Sequence, residues 1–299
     1  MVKENRRLLI TGGSGFLGGY LVLAALQGPW DVCATYFAHR PDFSRARWYP
    51  LDLNRPGQIV SLLQTVKPDV VVHTAALTNV DYCETHREEA ERTNIQGSRI
   101  LAQETARLGA RLIYISTDLV FDGGSPPYSE NGRPNPLSFY GWSKWQGELA
   151  VQKAGGCFVI VRPSILFGPP ALLGTSFTEW MFSSWRRGKK TPLFTDQFRT
   201  PIWGGNLAEA VLEVALLEYT GILHIGGADR ISRYEFGLKM AGLLGISHDR
   251  ILPAKMADVN LAGPRPADVS LNTSLARRML RTRLLPAEEG LRMAYAEII

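Results

Sequence analysis

One short stretch near the start of the chain constrains its fold most. Leu8-Leu9-Ile10-Thr11 runs directly into Gly12-Gly13-Ser14-Gly15-Phe16-Leu17-Gly18, and a helical pattern follows over residues 16–26. A Gly-x-x-Gly-x-x-Gly spacing carries physical meaning when a strand precedes it and a helix follows. Gly12 permits a tight turn, Gly15 lets the backbone approach a pyrophosphate, and Gly18 lets the helix pack closely on the strand. Ser14, Phe16 and Leu17 complete the loop and open the helix. The free N–H groups and positive dipole end of that helix attract phosphate. The loop therefore predicts a dinucleotide site.

Downstream, short apolar runs alternate with longer helical patterns. Strands are expected over residues 7–11, 31–36, 69–74, 111–116 and 158–162, and helices over 16–26, 57–66, 87–108 and 140–153. Strands apolar on both faces and separated by helices predict a doubly wound α/β fold. Its parallel sheet is covered on both sides, and ligands sit at the carboxyl ends of the strands. After Pro163 the texture changes. Gly168-Pro169-Pro170 breaks the chain, and helical patterns over 176–187, 206–217, 233–244 and 274–280 surround a strand-like Gly221–Ile225. The expected division is a dinucleotide-binding domain over residues 1–163 and a smaller, mixed α/β substrate domain over 164–299. Segments around 200–225 are expected to return to the first domain.

Composition excludes several classes. Of 299 residues, 45% are hydrophobic and 20% charged, as in ordinary globular enzymes. A net charge of +5 suits an anionic cofactor or substrate and is too small for a nucleic-acid partner. Cys33, Cys83 and Cys157 are isolated, without metal-ligand spacing or a disulfide framework, which fits a reducing cytoplasm. Met1-Val2-Lys3-Glu4-Asn5-Arg6-Arg7 passes into a strand without an apolar leader, and no apolar run is long enough to cross a bilayer. Neither a metal nor a membrane partner is expected.

The end of the second strand separates the two nicotinamide cofactors. An acid there would hold a ribose 2′-OH. Thr35-Tyr36-Phe37-Ala38-His39-Arg40 has none, and Arg40 is placed to pair with a 2′-phosphate. NADP(H) is therefore favoured over NAD(H), the alternative being Arg40 as a solvated loop residue. Asp52-Leu53 follows the third extended run, where the carboxylate either accepts from an adenine amino group or caps a turn.

Tyr140-Gly141-Trp142-Ser143-Lys144 opens a helical pattern. On a helix, a phenol and an ammonium at this spacing leave the same face. Tyrosine titrates near ~10, and a neighbouring positive charge lowers that value. Such a pair suits protonation of the alkoxide left by hydride addition to a ketone. The spacing alone is common. The strand ending in Ser116-Thr117-Asp118 adds a hydroxyl at a carboxyl edge of the sheet, able to hold a carbonyl oxygen.

Together these motifs resemble the extended short-chain dehydrogenase/reductases, a Rossmann-fold family, and within it the dTDP-4-dehydrorhamnose reductase group. The resemblance covers nearly the whole chain. It rests on the glycine loop, His73-Thr74-Ala75-Ala76 through Asp81, Asn94-Ile95-Gln96-Gly97, Ser116 through Phe121, and Pro127-Tyr128-Ser129-Glu130. It continues through Tyr140 to Lys144, Arg162-Pro163-Ser164, Asp196-Gln197-Phe198-Arg199-Thr200-Pro201 and Arg265-Pro266. The resemblance implies that Thr117 binds the substrate carbonyl and that Tyr140 is the general acid. It implies that Lys144 contacts the nicotinamide ribose and lowers the tyrosine pKa. Ala75 and Ala76 would line the cofactor, with Asn94 supporting the segment that bears Ala75. The implied reaction is NADPH-dependent reduction of the 4-keto group of a nucleotide-activated deoxysugar, with Asp118, Ile165, Gln197 and Arg199 facing the substrate. Ile165 stands where many nucleotide-sugar members carry an Asn and the rhamnose-forming reductases a Trp. The expected partners are a nucleotide sugar and, as a homodimer, a second copy of the chain. Two alternatives follow from the same resemblance: a cofactor-binding regulatory subunit of the methionine adenosyltransferase kind, and a sugar epimerase.

Other candidates have plainer readings beside the sharp ones. Trp142, Trp145, Trp180, Trp185 and Trp203 either stack on a ligand or fill core. His73 ends an apolar strand as a structural or a catalytic histidine. Arg186-Arg187-Gly188-Lys189-Lys190 is a solvated helix end or a phosphate contact. Asp81, Cys83 and His86 lack the spacing and the fourth ligand of a metal site. Asp196, Gln197 and Arg199 are substrate ligands or parts of a plain turn.

Overall fold

In the computed structural model, which describes residues 6–296, the alternating apolar runs pair into a parallel sheet of seven strands. Residues 1–5, read above for a leader, lie outside the described residues. In chain order the strands are β1 (Arg6–Thr11), β2 (Trp30–Tyr36), β3 (Arg47–Pro50), β4 (Val70–His73), β5 (Arg111–Ile115), β6 (Phe158–Pro163) and a later strand, Gly221–Ile225. Across the sheet Gly221–Ile225 is followed by β6, β5, β4, β1, β2 and β3. The order reverses at β1, where Leu8 faces Val32 of β2 on one side and Val70 of β4 on the other. A crevice therefore opens beyond the carboxyl ends of β1 and β4, at the topological switch point.

The helices are α1 (Phe16–Ala25), α2 (Pro56–Val66), α3 (Val80–Thr85), α4 (Arg87–Ala90), α5 (Ser98–Arg107), α6 (Phe139–Ala154), α7 (Phe177–Arg186), α8 (Gly204–Val214), α9 (Arg233–Leu243), α10 (Ser274–Met279) and α11 (Ala287–Ala294). Successive strand side chains leave opposite faces of the sheet, and both faces are covered. Leu8, Ile10, Val72 and Ile113 join a core with Leu17 and Leu21 of α1 and Leu207 and Val211 of α8. Leu9, Val71, Leu112 and Ile160 join the opposite one, with residues of α2, α5 and α6. A separate cluster containing Phe167, Met181, Trp185, Phe236, Met240 and Leu291 ties α7, α9 and α11 together. Each such buried side chain contributes roughly 1.5–3 kcal/mol. Trp185 is therefore core, while Trp180 remains 52% exposed.

Two differences from the sequence pattern have physical causes. The third extended run is β3, an edge strand whose Arg47 and Pro50 are exposed, so no apolar alternation marks its ends. The single helix expected over 87–108 is broken into α4, a π-helical stretch Glu91–Gly97 and α5. The wide turn holds Asn94 inward, as π-bulges do at functional sites. Its side chain accepts from Leu77 N at 2.8 Å and donates to Leu77 O and Ser143 Oγ, each at 3.0 Å. Among the described residues no helix is long and apolar enough to cross a membrane.

Helix α6 presses on β5 at Gly147, where a Cβ would lie 2.1 Å from Tyr114 Oη and 3.1 Å from the Asn94 carbonyl oxygen. Overpacking of about 1–3 kcal/mol outweighs the helix-propensity gain of Ala over Gly, about 1 kcal/mol. Gly147→Ala is expected to lower the urea unfolding midpoint. An unchanged or raised midpoint would show that α6 has room to move away.

Candidate active site

At the end of β1 the chain turns at Gly12, with φ of +69°. A Cβ there would lie 2.8 Å from the Ala75 backbone, so both conformation and space call for glycine. Gly12 N donates to Thr35 Oγ1 at 2.9 Å, and Gly15 N donates to Gly12 O at 2.9 Å. Gly15 is the N-cap of α1, without a side-chain cap bond and with no acid in the first turn. The uncapped N–H groups are left for an anion. A Cβ on Gly15 would meet only the Gly12 carbonyl oxygen, at 3.1 Å, so the loop backbone is open to a ligand. This donor set fits a pyrophosphate. Gly12, Ser14, Gly15, Phe16, Leu17 and Gly18 line a cleft of about 650 Å³, together with Ala75 and Ala76 from beyond β4.

The other wall comes from β5 and α6. Ser138 caps α6, accepting from Gly141 N at 3.1 Å. A Cβ on Gly141 would lie 2.2 Å from Leu119 O, so α6 backs directly onto the turn that follows β5. That close approach sets the Tyr140 phenol beside the Thr117 hydroxyl, which favours the phenolate. Lys144 follows one turn later, and Thr117, Tyr140 and Lys144 all line the cleft. Asp118 is buried beside them, accepting from Ser164 Oγ at 2.9 Å with Arg199 Nε 3.9 Å away. Burial pushes its carboxyl up, opposed first by Arg199.

The expectation that Lys144 lowers the Tyr140 pKa is corrected by the structure. Burial pushes the phenol up, the Thr117 hydroxyl pulls it down, and Asp118 and Cys83 add to the rise. Lys144 is itself pushed down to about 7 by burial, against the opposing charge of Glu148. Its Nζ sits 4.3 Å from the centre of the Tyr114 ring. Desolvation disfavours the charged form of both groups and dominates their mutual effect.

Beneath the pair lies a buried network absent from the sequence reading. Glu148 Oε1 accepts from Ser116 Oγ at 2.5 Å and from Arg162 Nε at 2.9 Å, and Oε2 accepts from Arg162 Nη2 at 2.6 Å. The signal was present in the chain. Glu148 continues the spacing of Tyr140 and Lys144 by one more turn, and Arg162 interrupts an otherwise apolar strand.

The remaining expected residues divide. Ile165, Gln197 and Arg199 line the cleft with Asp118. Arg40, Asp52, Leu53 and Asn94 do not. Arg40 is exposed in its loop. Asp52 caps its own turn, accepting from Asn54 N at 2.9 Å, and Leu53 packs into the core. Asn94 acts from behind, through Leu77. His73 is buried between Thr11 Oγ1 at 2.6 Å and Ser98 Oγ at 3.0 Å. Burial pushes it down to about 3, with the Lys144 charge adding, so it is neutral at working pH. Asp196 turns away to accept from Met256 N at 3.1 Å. Two further lining residues, Arg233 and Arg265, had no role in the sequence reading of the site.

The family model of the RmlD substrate binding domain matches residues 6–299. The chain belongs to the RmlD family. It is 31% identical to methionine adenosyltransferase 2 subunit beta of Xenopus tropicalis over 96% of this chain and 86% of that protein. It is 32% identical to a probable low-salt glycan biosynthesis reductase, Agl14, of Haloferax volcanii over 89% of each. Its fold matches that of the dTDP-4-dehydrorhamnose reductase of Bacillus anthracis in complex with NADP, with a TM-score of 0.84, 27% identity, and coverage of 98% of this chain and 99% of that one.

In this RmlD-family chain Lys144 makes stability depend on pH. Its folded pKa of about 7 lies below the ordinary value of 10.5. Below about pH 7 the folded chain buries an ammonium and bears the full penalty. Between there and 10.5 the unfolded chain binds the extra proton, so stability rises with pH. Lys144→Met removes this titration. It is expected to melt higher than wild type below neutral pH, with the gap closing as pH rises toward 10.5. A gap that does not change with pH would show that the ammonium is not desolvated.

Proposed function

We propose that this chain is an NADPH-dependent reductase acting on the 4-keto group of a nucleotide-activated deoxysugar. The observation that carries the reading is the shared cleft: the glycine loop, Thr117, Tyr140 and Lys144 line one cavity. In this reading the loop and the α1 N-terminus hold the pyrophosphate, while Ala75 and Ala76 lie along the cofactor. NADPH, when bound, supplies the hydride. The Thr117 hydroxyl holds the ketone oxygen. The raised pKa of Tyr140 keeps its phenol protonated at neutral pH, so it serves as the donor to that oxygen as negative charge develops there. Lys144 orients the nicotinamide ribose, as the family resemblance implies. Residues 164–299 form the substrate side, bringing Ile165 and Gln197 to face the sugar. NADP(H) is favoured because no acid follows β2 in Tyr36-Phe37-Ala38-His39-Arg40, and because the Bacillus anthracis relative was solved with NADP.

A second reading has one observation in its favour, the likeness to methionine adenosyltransferase 2 subunit beta. Under it the chain binds the cofactor and a partner enzyme without turnover. One assay separates the two. Purified protein is mixed with NADPH and dTDP-linked 4-keto-6-deoxy sugars, and loss of reduced cofactor is followed by absorbance. Wild type is expected to turn over, and Tyr140→Phe to lose about 10²–10⁴-fold in kcat with NADPH affinity unchanged. Tight NADPH binding without reduction of any such sugar would sink the reductase reading and leave the regulatory one.

A further inference from the structure

Arg199, Arg233 and Arg265 line the cleft, and two of them are committed to the protein. Arg199 donates to the carbonyls of Phe198, Ala267 and Pro266 and faces Asp118. Arg265 pairs with Asp81 at 3.1 Å and donates to Gly263 O at 2.7 Å. Arg233 differs. Among the described residues its Nη1 is buried without a hydrogen-bond partner, and its guanidinium makes no ion pair.

The side chain is nevertheless fixed in place. Its Cζ lies 3.8 Å from the centre of the Phe177 ring, and its backbone N donates to Gln197 O at 3.1 Å. Arg233 is also the first residue of α9, behind a capping box formed by Ser232 and Glu235. A cation there sits at the positive end of the helix dipole, where cations are disfavoured. Burial pushes its pKa down to about 9, Arg199 adds to the fall, and Asp118 opposes it. At neutral pH the group is still charged. Three unfavourable factors thus meet at one side chain: desolvation, the helix dipole and a like-charged neighbour. An anion in the cleft relieves all three.

We infer that Arg233 is an anion-binding group of the substrate site, pairing with carboxylate or phosphate oxygens of the ligand. A planar guanidinium matches both in a two-pronged hydrogen bond. The inference rests on the reading of the cleft as a nucleotide-sugar site. It adds the group that takes the ligand's charge, which is either the diphosphate or an acidic substituent on the sugar.

The test is equilibrium titration of the full-length protein, wild type and Arg233→Gln, with dTDP, dTDP-glucose and dTDP-glucuronate. If the diphosphate is the partner, all three are expected to weaken at least tenfold, and by the same factor. If the partner is a carboxylate, dTDP-glucuronate alone is expected to weaken at least tenfold. Affinities that stay within twofold of wild type for all three ligands overturn the inference, as does a wild type that binds none of them. A second variant guards against a folding role. Arg233→Met without ligand is expected to melt at or above the wild-type temperature, because it removes an unpaired charge; a clear drop would make Arg233 structural and overturn the inference. NADPH affinity is expected to be the same in wild type and Arg233→Gln. A wild type that fails to bind NADPH would defeat the reductase reading and leave the anion site standing.

Discussion

The site depends on a buried pair, Glu148 with Arg162. Both side chains are only 2% exposed, and they bring three elements together: Glu148 on α6, Arg162 on β6, and Ser116 at the end of β5, which donates to the same carboxylate. Thr117 follows Ser116 directly, and Lys144 precedes Glu148 by one helical turn. The pair therefore sets the distance between the hydroxyl wall and the phenol–ammonium wall of the cleft. Losing one partner of such a pair typically costs about 3–5 kcal/mol, because the other is left charged and dry. Here it would also release the β5 end from the helix that carries Tyr140.

The same dryness supplies the chemistry. A tyrosine and a lysine at helical spacing suggest a charge that acidifies the phenol. In the folded chain desolvation acts on both groups and moves each toward its neutral form. The phenol becomes a firm proton holder and the lysine a group that titrates near neutrality. For reduction this arrangement suits a donor, since the proton leaves only when the ketone oxygen has become the stronger base.

Much of the fold was legible because periodicity reports burial. Leu8, Leu9 and Ile10 alternate between the two cores, and the apolar runs of β4, β5 and β6 are buried on both faces, so they had to be interior parallel strands. β3 was not delimited, because half-exposed Trp48 and Tyr49 between exposed Arg47 and Pro50 leave no alternation. The π-helical stretch around Asn94 escaped for another reason. Its cause is a long-range set of hydrogen bonds to Leu77 and Ser143, which no local window contains. In the site, the residues that share a local motif were readable: the glycine loop, Thr117, Tyr140 and Lys144. Arg233 was not, because its significance lies in what surrounds it, and Glu148 and Arg162 each left a local trace while their pairing across α6 and β6 did not. Asp52 shows the converse, since a plausible position after a strand led to a turn cap.

Fold alone does not choose between a reductase and a regulatory subunit, since function resides in the site built on it. Both readings need the glycine loop, the uncapped α1 terminus and the walls formed by Ala75 and Ala76. They part at the groups that move a proton. A chain that only binds a nucleotide has no use for a lysine buried far below its ordinary pKa, or for a phenol set beside a hydroxyl at the sheet edge. The buried lysine is a standing cost to stability in the free protein, as is Arg233, whose Nη1 has no hydrogen-bond partner among the described residues. Strained or desolvated groups of this kind persist where they are offset by something they do when a ligand arrives. That both share one cleft with the dinucleotide loop and the Tyr140 phenol is the physical argument for turnover.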